Sequence, residues 1–265
     1  MIWVIGDIHG SFKPIRDFSQ WNLNKQTEDD VMICLGDFGG NFFFDYRDEK
    51  FKEKLGKYHM TYFVIRGNHE QRPSLCAQDR PTAWHQELFF DNYVWVENDY
   101  PYIKYAMDCP SIYTINGYKT LVIPGAYSVD KYYRLAVGNT WFEQEQLTES
   151  EMEVGRILVS FYRQFDLVLS HTCPIIYEPT DLFLGGIDQS MVDKTMERYL
   201  GEIENDLLPY KLWCWGHYHK TRVYPQNEKG QPLMLINDTV LNLTEFQQTE
   251  DIYNSLHKIR KEELP

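Results

Sequence analysis

Gly6-Asp7-Ile8-His9-Gly10 follows directly on Ile2-Trp3-Val4-Ile5, and the same pattern returns four times along the chain. Val31-Met32-Ile33-Cys34-Leu35 runs into Gly36-Asp37-Phe38-Gly39-Gly40, and Tyr62-Phe63-Val64-Ile65 runs into Arg66-Gly67-Asn68-His69-Glu70. Leu167-Val168-Leu169 leads to Ser170-His171-Thr172-Cys173-Pro174, and Leu212-Trp213-Cys214-Trp215 leads to Gly216-His217-Tyr218-His219. A short apolar, β-branched run that stops at Gly or a polar cluster reads as a buried strand feeding a loop. Five such strands in one sheet deliver Asp, Asn and His side chains to one rim. Oxygen and imidazole donors together are what a pair of divalent transition metals needs. Of the eight histidines, five (His9, His69, His171, His217 and His219) fall in these loops, a clustering that ordinary core or surface histidines would not show.

The spacing inside the loops supports that reading. Asp-x-His at positions 7 and 9 puts two side chains on one side of an extended stretch, and His217 and His219 repeat the device with Tyr218 facing the other way. The glycines before Asp7, Asp37, Asn68 and His217 permit tight turns where ligands crowd the backbone.

Elsewhere the chain alternates helices and strands. Phe12 to Trp21 predicts a short helix with Pro14 in its first turn, and Glu49 to Tyr58 a second. Residues 71–118 carry Pro73, Pro81, Pro101 and Pro110, which exclude a long helix; strands are expected at Val94-Trp95-Val96, Ser111 to Ile115 and Lys119 to Ile123. Thr148-x-x-Glu151 is a capping box opening a helix with Met152, Ile157, Leu158, Phe161 and Phe165 as its apolar face. Another helix is expected from Ser190 to Leu207, with Val192, Met196, Tyr199, Ile203 and Leu207 on one stripe. Strands follow at 221–224, 233–236 and 240–244. βα units that end in a meander predict a mixed α/β sandwich with helix layers outside. The expected organisation is one domain over residues 1–247, because a single site draws on both halves, followed by a charged helix or tail at 248–265.

At 265 residues, 43% hydrophobic and 15% aromatic, the chain has ample material for a core. No apolar run approaches the roughly 20 residues of a membrane span, and the start carries no signal-peptide pattern. Five scattered cysteines without a Cys-x-x-Cys pair predict a reducing cytoplasm, Cys34 and Cys214 acting as buried apolar residues. The Asn242-Leu243-Thr244 sequon is then a chance match. Net charge is −13; two dications would add +4 and leave −9. No basic stripe offsets it, and Lys50, Lys52, Lys54 and Lys57 alternate with Glu49 and Glu53 on an expected solvated helix. This argues against a duplex DNA partner, and nothing points to a membrane partner.

The order Asp-x-His, Gly-Asp, Gly-Asn-His-Glu, His, Gly-His-x-His, spread over residues 5–219, resembles the calcineurin-like metallophosphoesterases. The resemblance implies two stacked sheets with a binuclear centre at the strand-end rim. It implies Asp7, His9 and His219 on one metal, Asn68, His171 and His217 on the other, and Asp37 bridging both. His69 would face the substrate as the catalytic general acid, while a hydroxide bridging the metals attacks phosphorus in line. Donors without thiolate fit Mn, Fe or Zn, and the resemblance favours Mn.

The same resemblance leaves the substrate open. Protein phosphatases of this kind usually carry Gly-Asp-x-x-Asp-Arg-Gly at the second motif, whose Asp supports the catalytic His and whose Arg grips phosphate. Here the residues are Phe38-Gly39-Gly40-Asn41, so both supports are missing. Asp45 and Glu70 are candidates to orient His69. Arg66, Arg72, Lys131 and Arg134 are candidate phosphate-binding cations, with ordinary surface or bracing roles as the alternative. Tyr127, Tyr132, Tyr133, Trp141, Tyr177 and Tyr218 could stack on a substrate ring, and 182–186 could form its rim. The expected activity is a phosphomonoesterase acting on phosphoprotein or nucleotide. A phosphodiesterase or pyrophosphohydrolase of cyclic nucleotides or dinucleotides is the alternative. A non-catalytic scaffold is disfavoured because all seven ligand positions and His69 are present.

Overall fold

In the computed structural model, residues 1–22, 26–183, 185–224, 233–237, 239–244, 246 and 256–258 are described. Their strands form two sheets. The larger runs, edge to edge, through Leu256–Lys258 (β14), Thr239–Asn242 (β13), Ile2–Ile5 (β1), Val31–Cys34 (β2), Thr61–Val64 (β3), Ile103–Tyr105 (β6), Asn92–Glu97 (β5) and Trp84–Phe89 (β4). The smaller runs through Arg222–Tyr224 (β11), Leu233–Leu235 (β12), Leu212–Trp215 (β10), Leu167–Ser170 (β9), Tyr118–Ile123 (β8) and Ser111–Ile115 (β7). Parallel pairing joins β1 to β2, β2 to β3 and β9 to β10. These five strands lead into the five motif loops, three from the larger sheet and two from the smaller, not all from one sheet as expected.

Burial explains the missing alternation. In β1, Val4 packs into the core between the sheets, while Trp3 and Ile5 pack outward with Ile15 and Phe18 of Lys13–Trp21 (α1). Phe51 and Leu55 of Tyr46–Leu55 (α2) and Cys76 and Ala77 of Pro73–Asp79 (α3) cover the same face. On the smaller sheet, Leu169 and Cys214 face the inner core, whereas Val168, Trp213 and Trp215 face outward. There they meet Glu149–Tyr162 (α5) and Thr195–Asp206 (α6). A strand covered on both faces needs apolar residues at every position. The result is the expected two-sheet sandwich flanked by helices.

Several details differ from the sequence reading. The capping box of Thr148 and Glu151 is formed, but the buried face of α5 is Met152, Gly155 and Val159. Ile157 and Phe161 point to solvent, 58% and 79% exposed. Gly155 lies on that buried face, where a Cβ would come within 1.8 Å of the Tyr199 hydroxyl of α6. The helix expected from Ser190 begins only at Thr195, because Asp188 and Asp193 accept the N–H groups two residues on and cap separate turns. Lys52 is not solvated; it is 3% exposed and donates to buried Glu97 at 2.5 Å. Strands β4 and β6, and helices α3 and Lys131–Val137 (α4), were not legible among the prolines and charges. Of the tail at 248–265, only 256–258 are described, and they form a strand antiparallel to β13, not a helix. The open backbone of β13 offers the hydrogen bonds that stabilise a strand there. The rest of that tail, like the boundary at 247, lies outside the described residues. Asn242 of the sequon is fully buried. Among the described residues no helix is long and apolar enough to cross a membrane.

Candidate metal centre and substrate cleft

The loops after β1, β2, β3, β9 and β10 meet at one rim. Hydrogen bonds knit them together: His9 N–H donates to Asp37 O (2.7 Å), Gly216 N–H to His171 O (3.0 Å), and His217 N–H to Asp7 Oδ2 (2.8 Å). Glu70, 2% exposed, accepts the N–H of Gly39 (2.8 Å) and of Gly67 (3.1 Å), tying the second loop to the third. Close approach explains Gly67: a Cβ there would sit 2.1 Å from Asp37 Oδ1. Gly36 has φ of +97°, the left-handed region that favours glycine. Asp37 (φ +46°), His9 (+46°), His217 (+70°) and His219 (+52°) adopt positive φ despite their side chains. Such conformations cost energy and persist where the surroundings fix them.

All seven expected donors converge. Asp7, His9, Asp37 and His219 present ligand atoms within 4.8 Å of one another. His9 Nε2 and His219 Nε2 are 2.9 Å apart. On the other side, His171 Nε2 lies 2.8 Å from Asn68 Oδ1, and the His171 and His217 rings meet edge to face at 5.0 Å. Asp37 stands between the groups, Oδ1 3.6 Å from His171 Nε2 and Oδ2 3.8 Å from His9 Nε2. The His171 group is fully buried, whereas the His9 side chain is 39% exposed.

The donor set fits divalent cations on its own chemistry. The Asn68 amide donates through Nδ2 to Ser128 Oγ (2.9 Å), which turns Oδ1 toward His171. His171 Nδ1 lies 2.7 Å from Leu35 O, an acceptor only, so Nδ1 carries the proton and Nε2 presents a lone pair. Two lone pairs 2.8 Å apart repel unless a shared cation lies against both. Charge says the same. Burial, then the neighbouring Asp37, pushes the Asp7 carboxyl well above its ordinary range. Burial would also raise Asp37, but the imidazoles of His171, His69 and His9 outweigh it and hold it low. Burial lowers His171, His217 and His219 toward the neutral, ligating form, which leaves the positive charge beside Asp37 to a bound cation.

Ser128 and Glu145 are the support that the sequence did not reveal. Ser128 Oγ donates to Glu145 Oε2, and Ser128 N–H donates to Glu145 Oε1 at 3.0 Å. Arg66 belongs to this frame and not to the substrate: 2% exposed, it donates to the carbonyls of Glu145 (2.8 Å) and Gly67 (3.1 Å). Arg72 is also a brace, bonded to Glu151 and to the carbonyls of Gln144 and Gln146. Lys131 sits over the Trp141 ring at 4.1 Å.

Arg134, in α4, is the one of the four cations that reaches the cleft. A cavity of about 390 Å³ lined by His69, Asn68, His217 and Arg134 adjoins a second arm of about 200 Å³ lined by Phe42 and Phe43. His9, Asp37, His69 and Arg134 line both. Asp130 steadies Arg134 through Nε at 2.7 Å. Neither candidate partner orients His69: Asp45 caps α2 and pairs with Arg47, and Glu70 is committed to backbone. Burial lowers the pKa of His69, and its Nε2 is 4.0 Å from Asp37 Oδ2. Tyr127, Tyr218, Leu182 and Phe183 line the larger arm, whereas Tyr132 and Tyr133 are exposed. Cys173 is buried with Sγ 3.7 Å from the Tyr218 hydroxyl, a packing role.

A family model described as calcineurin-like phosphoesterase matches residues 1–221. The chain belongs to the calcineurin-like phosphoesterase family and is a metal-dependent phosphoesterase; the family works with binuclear divalent metals. Among solved structures, TT1561 of Thermus thermophilus is similar over 98% of each chain, with a TM-score of 0.51 and 12% identity, a likeness of fold. A dimetal phosphatase of Danio rerio is similar over 89% of this chain and 86% of that one (TM-score 0.49, 10% identity). A phosphopantetheinyl hydrolase of Mycobacterium tuberculosis is similar over 89% of each chain (TM-score 0.45, 13% identity). Comparison with curated proteins finds no match.

Proposed function

We propose that this chain is a phosphomonoesterase acting on small phosphoesters such as nucleotides, and not on folded phosphoproteins. The observation that carries this reading is the shape of the site. His69, Asn68 and His217 lie in a cavity of about 390 Å³, the size of a small-ligand pocket. Asp7, His9 and His219 would hold one ion, Asn68, His171 and His217 the other, with Asp37 shared. Two bound dications supply charge for the phosphoryl oxygens and lower the pKa of bound water. Arg134 grips the phosphate, taking the place of the arginine that the second motif lacks. His69 offers a ring N–H to the substrate and is the group placed to protonate the leaving oxygen. Manganese is the preferred metal, with iron or zinc compatible with the same donors. Five cysteines free of disulfides support a reducing, cytoplasmic setting.

The second arm, about 200 Å³ and joined at His9 and Arg134, favours a second reading: a diester or pyrophosphate with one substituent in each arm. Metal-stripped protein restored with Mn²⁺ and offered p-nitrophenyl phosphate beside bis-p-nitrophenyl phosphate separates the two. A higher kcat/KM on the monoester supports the first reading. A higher value on the diester overturns it in favour of the second.

A further inference from the structure

Part of the lining of the larger arm is polar and densely hydrogen-bonded. Thr172, the residue after His171, donates its hydroxyl to Glu197 Oε1 at 2.8 Å and lies 3.3 Å from the Tyr218 hydroxyl. That hydroxyl reaches Glu178 Oε1 at 3.4 Å, to which Lys194 Nζ also donates at 2.6 Å. Glu197 is 3% exposed and lines the cavity, and its second oxygen, Oε2, has no hydrogen-bond partner. Gln189, on the same wall, also holds a buried side-chain oxygen without a partner.

An unpaired buried acceptor is costly, and native proteins satisfy it with a water or a ligand. The unpaired oxygen of Gln189 is an acceptor, as is Glu197 Oε2 once the carboxyl is ionised, and the nearby donor Lys194 is engaged by Glu178. A ligand that completes this wall therefore carries hydrogen-bond donors. Charge sets their sign: Lys194 is paired with Glu178, which leaves Glu197 and Asp193 against the exposed Lys220 on this part of the lining, so a cationic donor is favoured over a neutral one. Burial pushes Glu197 up to about 7, and an ammonium beside it would relieve that desolvation. Phe183 and Val192 line the same arm and suit an apolar body.

We propose that Glu197, assisted by Gln189, determines specificity by binding an amino group on the leaving alcohol, so that the preferred substrate is a small phosphate ester of an apolar amino alcohol. This rests on the proposed function for placing the phosphate at the Arg134 end. Binding of the free alcohol tests it without relying on turnover. Calorimetric affinities of the Mn²⁺-loaded full chain would be compared for 4-(2-aminoethyl)phenol and 4-propylphenol, which differ by an amino group in place of a methyl. The expected result is about tenfold tighter binding of the amine, falling to within about twofold in Glu197→Gln and reduced in Gln189→Leu. Equal affinity for the two alcohols in the unaltered chain overturns the proposal, as does an undiminished preference in both variants. Failure of the phosphomonoesterase reading shows instead as absent or diester-selective hydrolysis of p-nitrophenyl esters, with amine binding intact.

Discussion

Replacing Ser128 with alanine tests whether the amide of Asn68 is held in place for a metal. Ser128 Oγ accepts from Asn68 Nδ2 at 2.9 Å and donates to Glu145 Oε2, so Ser128→Ala removes two buried hydrogen bonds, one of them to a carboxylate. The neutral bond is worth about 1 kcal/mol and the charged one about 1.5–3 kcal/mol, giving roughly 2–4 kcal/mol of lost stability. The effect on metal is more specific. Without its anchor the amide can turn over and present N–H in place of oxygen; residues that orient metal ligands typically contribute about 10–100-fold in affinity. In the proposed assignment only one of the two ions depends on Asn68. Titration of the stripped protein with Mn²⁺ should therefore show one site weakened at least about tenfold and the other within about threefold of its original affinity. Thermal melts run alongside report the stability loss. Unchanged affinity at both sites, with the stability loss present, would refute the positioning role. An equal loss at both would show a general collapse of the rim.

Four further outcomes are expected. Asp37→Asn should bind at most one equivalent of metal by elemental analysis and lose about 10³-fold or more in kcat, since the carboxylate proposed to serve both ions stands between the two donor groups; two equivalents with full activity would remove Asp37 from that role. Arg134→Ala should raise KM for phosphate esters roughly tenfold with little change in melting temperature, whereas Arg66→Ala should lower the melting temperature, because its guanidinium holds the carbonyls of Glu145 and Gly67. Glu197, with a folded pKa of about 7 against an ordinary 4.5, keeps its proton more tightly when folded. Its contribution to stability is complete below about pH 4.5 and lost as pH rises to about 7, a change of up to about 3 kcal/mol that Glu197→Gln should abolish in urea melts across that window. Met152→Ala should destabilise by about 2–5 kcal/mol and Ile157→Ala by under about 0.5 kcal/mol in the same melts, although the sequence pattern puts both on one apolar face.

The five ligand loops were legible because each follows a strand buried on both faces, and such strands have no polar positions to blur their ends. Parallel pairing brings Asp7, Asp37 and Asn68 together at the end of one sheet and His171 and His217 at the end of the other, and the stacking of the two sheets joins the two sets. What stayed hidden acts across long stretches of chain through single atoms. Glu145 fixes Ser128 and through it Asn68, and nothing in Phe142-Glu143-Gln144-Glu145 marks that duty. Arg66 and Arg72 stand beside the third motif as if to bind phosphate, yet backbone carbonyls from 144–146 claim them. Arg134 looked no different from its neighbours in the sequence; it shares α4 with Lys131, yet only Arg134 lines the cleft, while Lys131 sits over Trp141. The apolar residues of α5 were read as one face, whereas its buried face is Met152, Gly155 and Val159.

β1 lies between β2 and β13, and its Asp7 accepts the N–H of His217, so a strand made early is enclosed by one made late. On a ribosome adding about 5–20 residues per second, the 212 residues from Asp7 to His219 take about 10–40 s to appear. For most of that interval Asp7, His9 and Asp37 exist without the imidazoles that complete either donor group. The full candidate donor set therefore exists only once the loop after β10 has emerged, and a chain truncated before that loop would lack both His217 and His219.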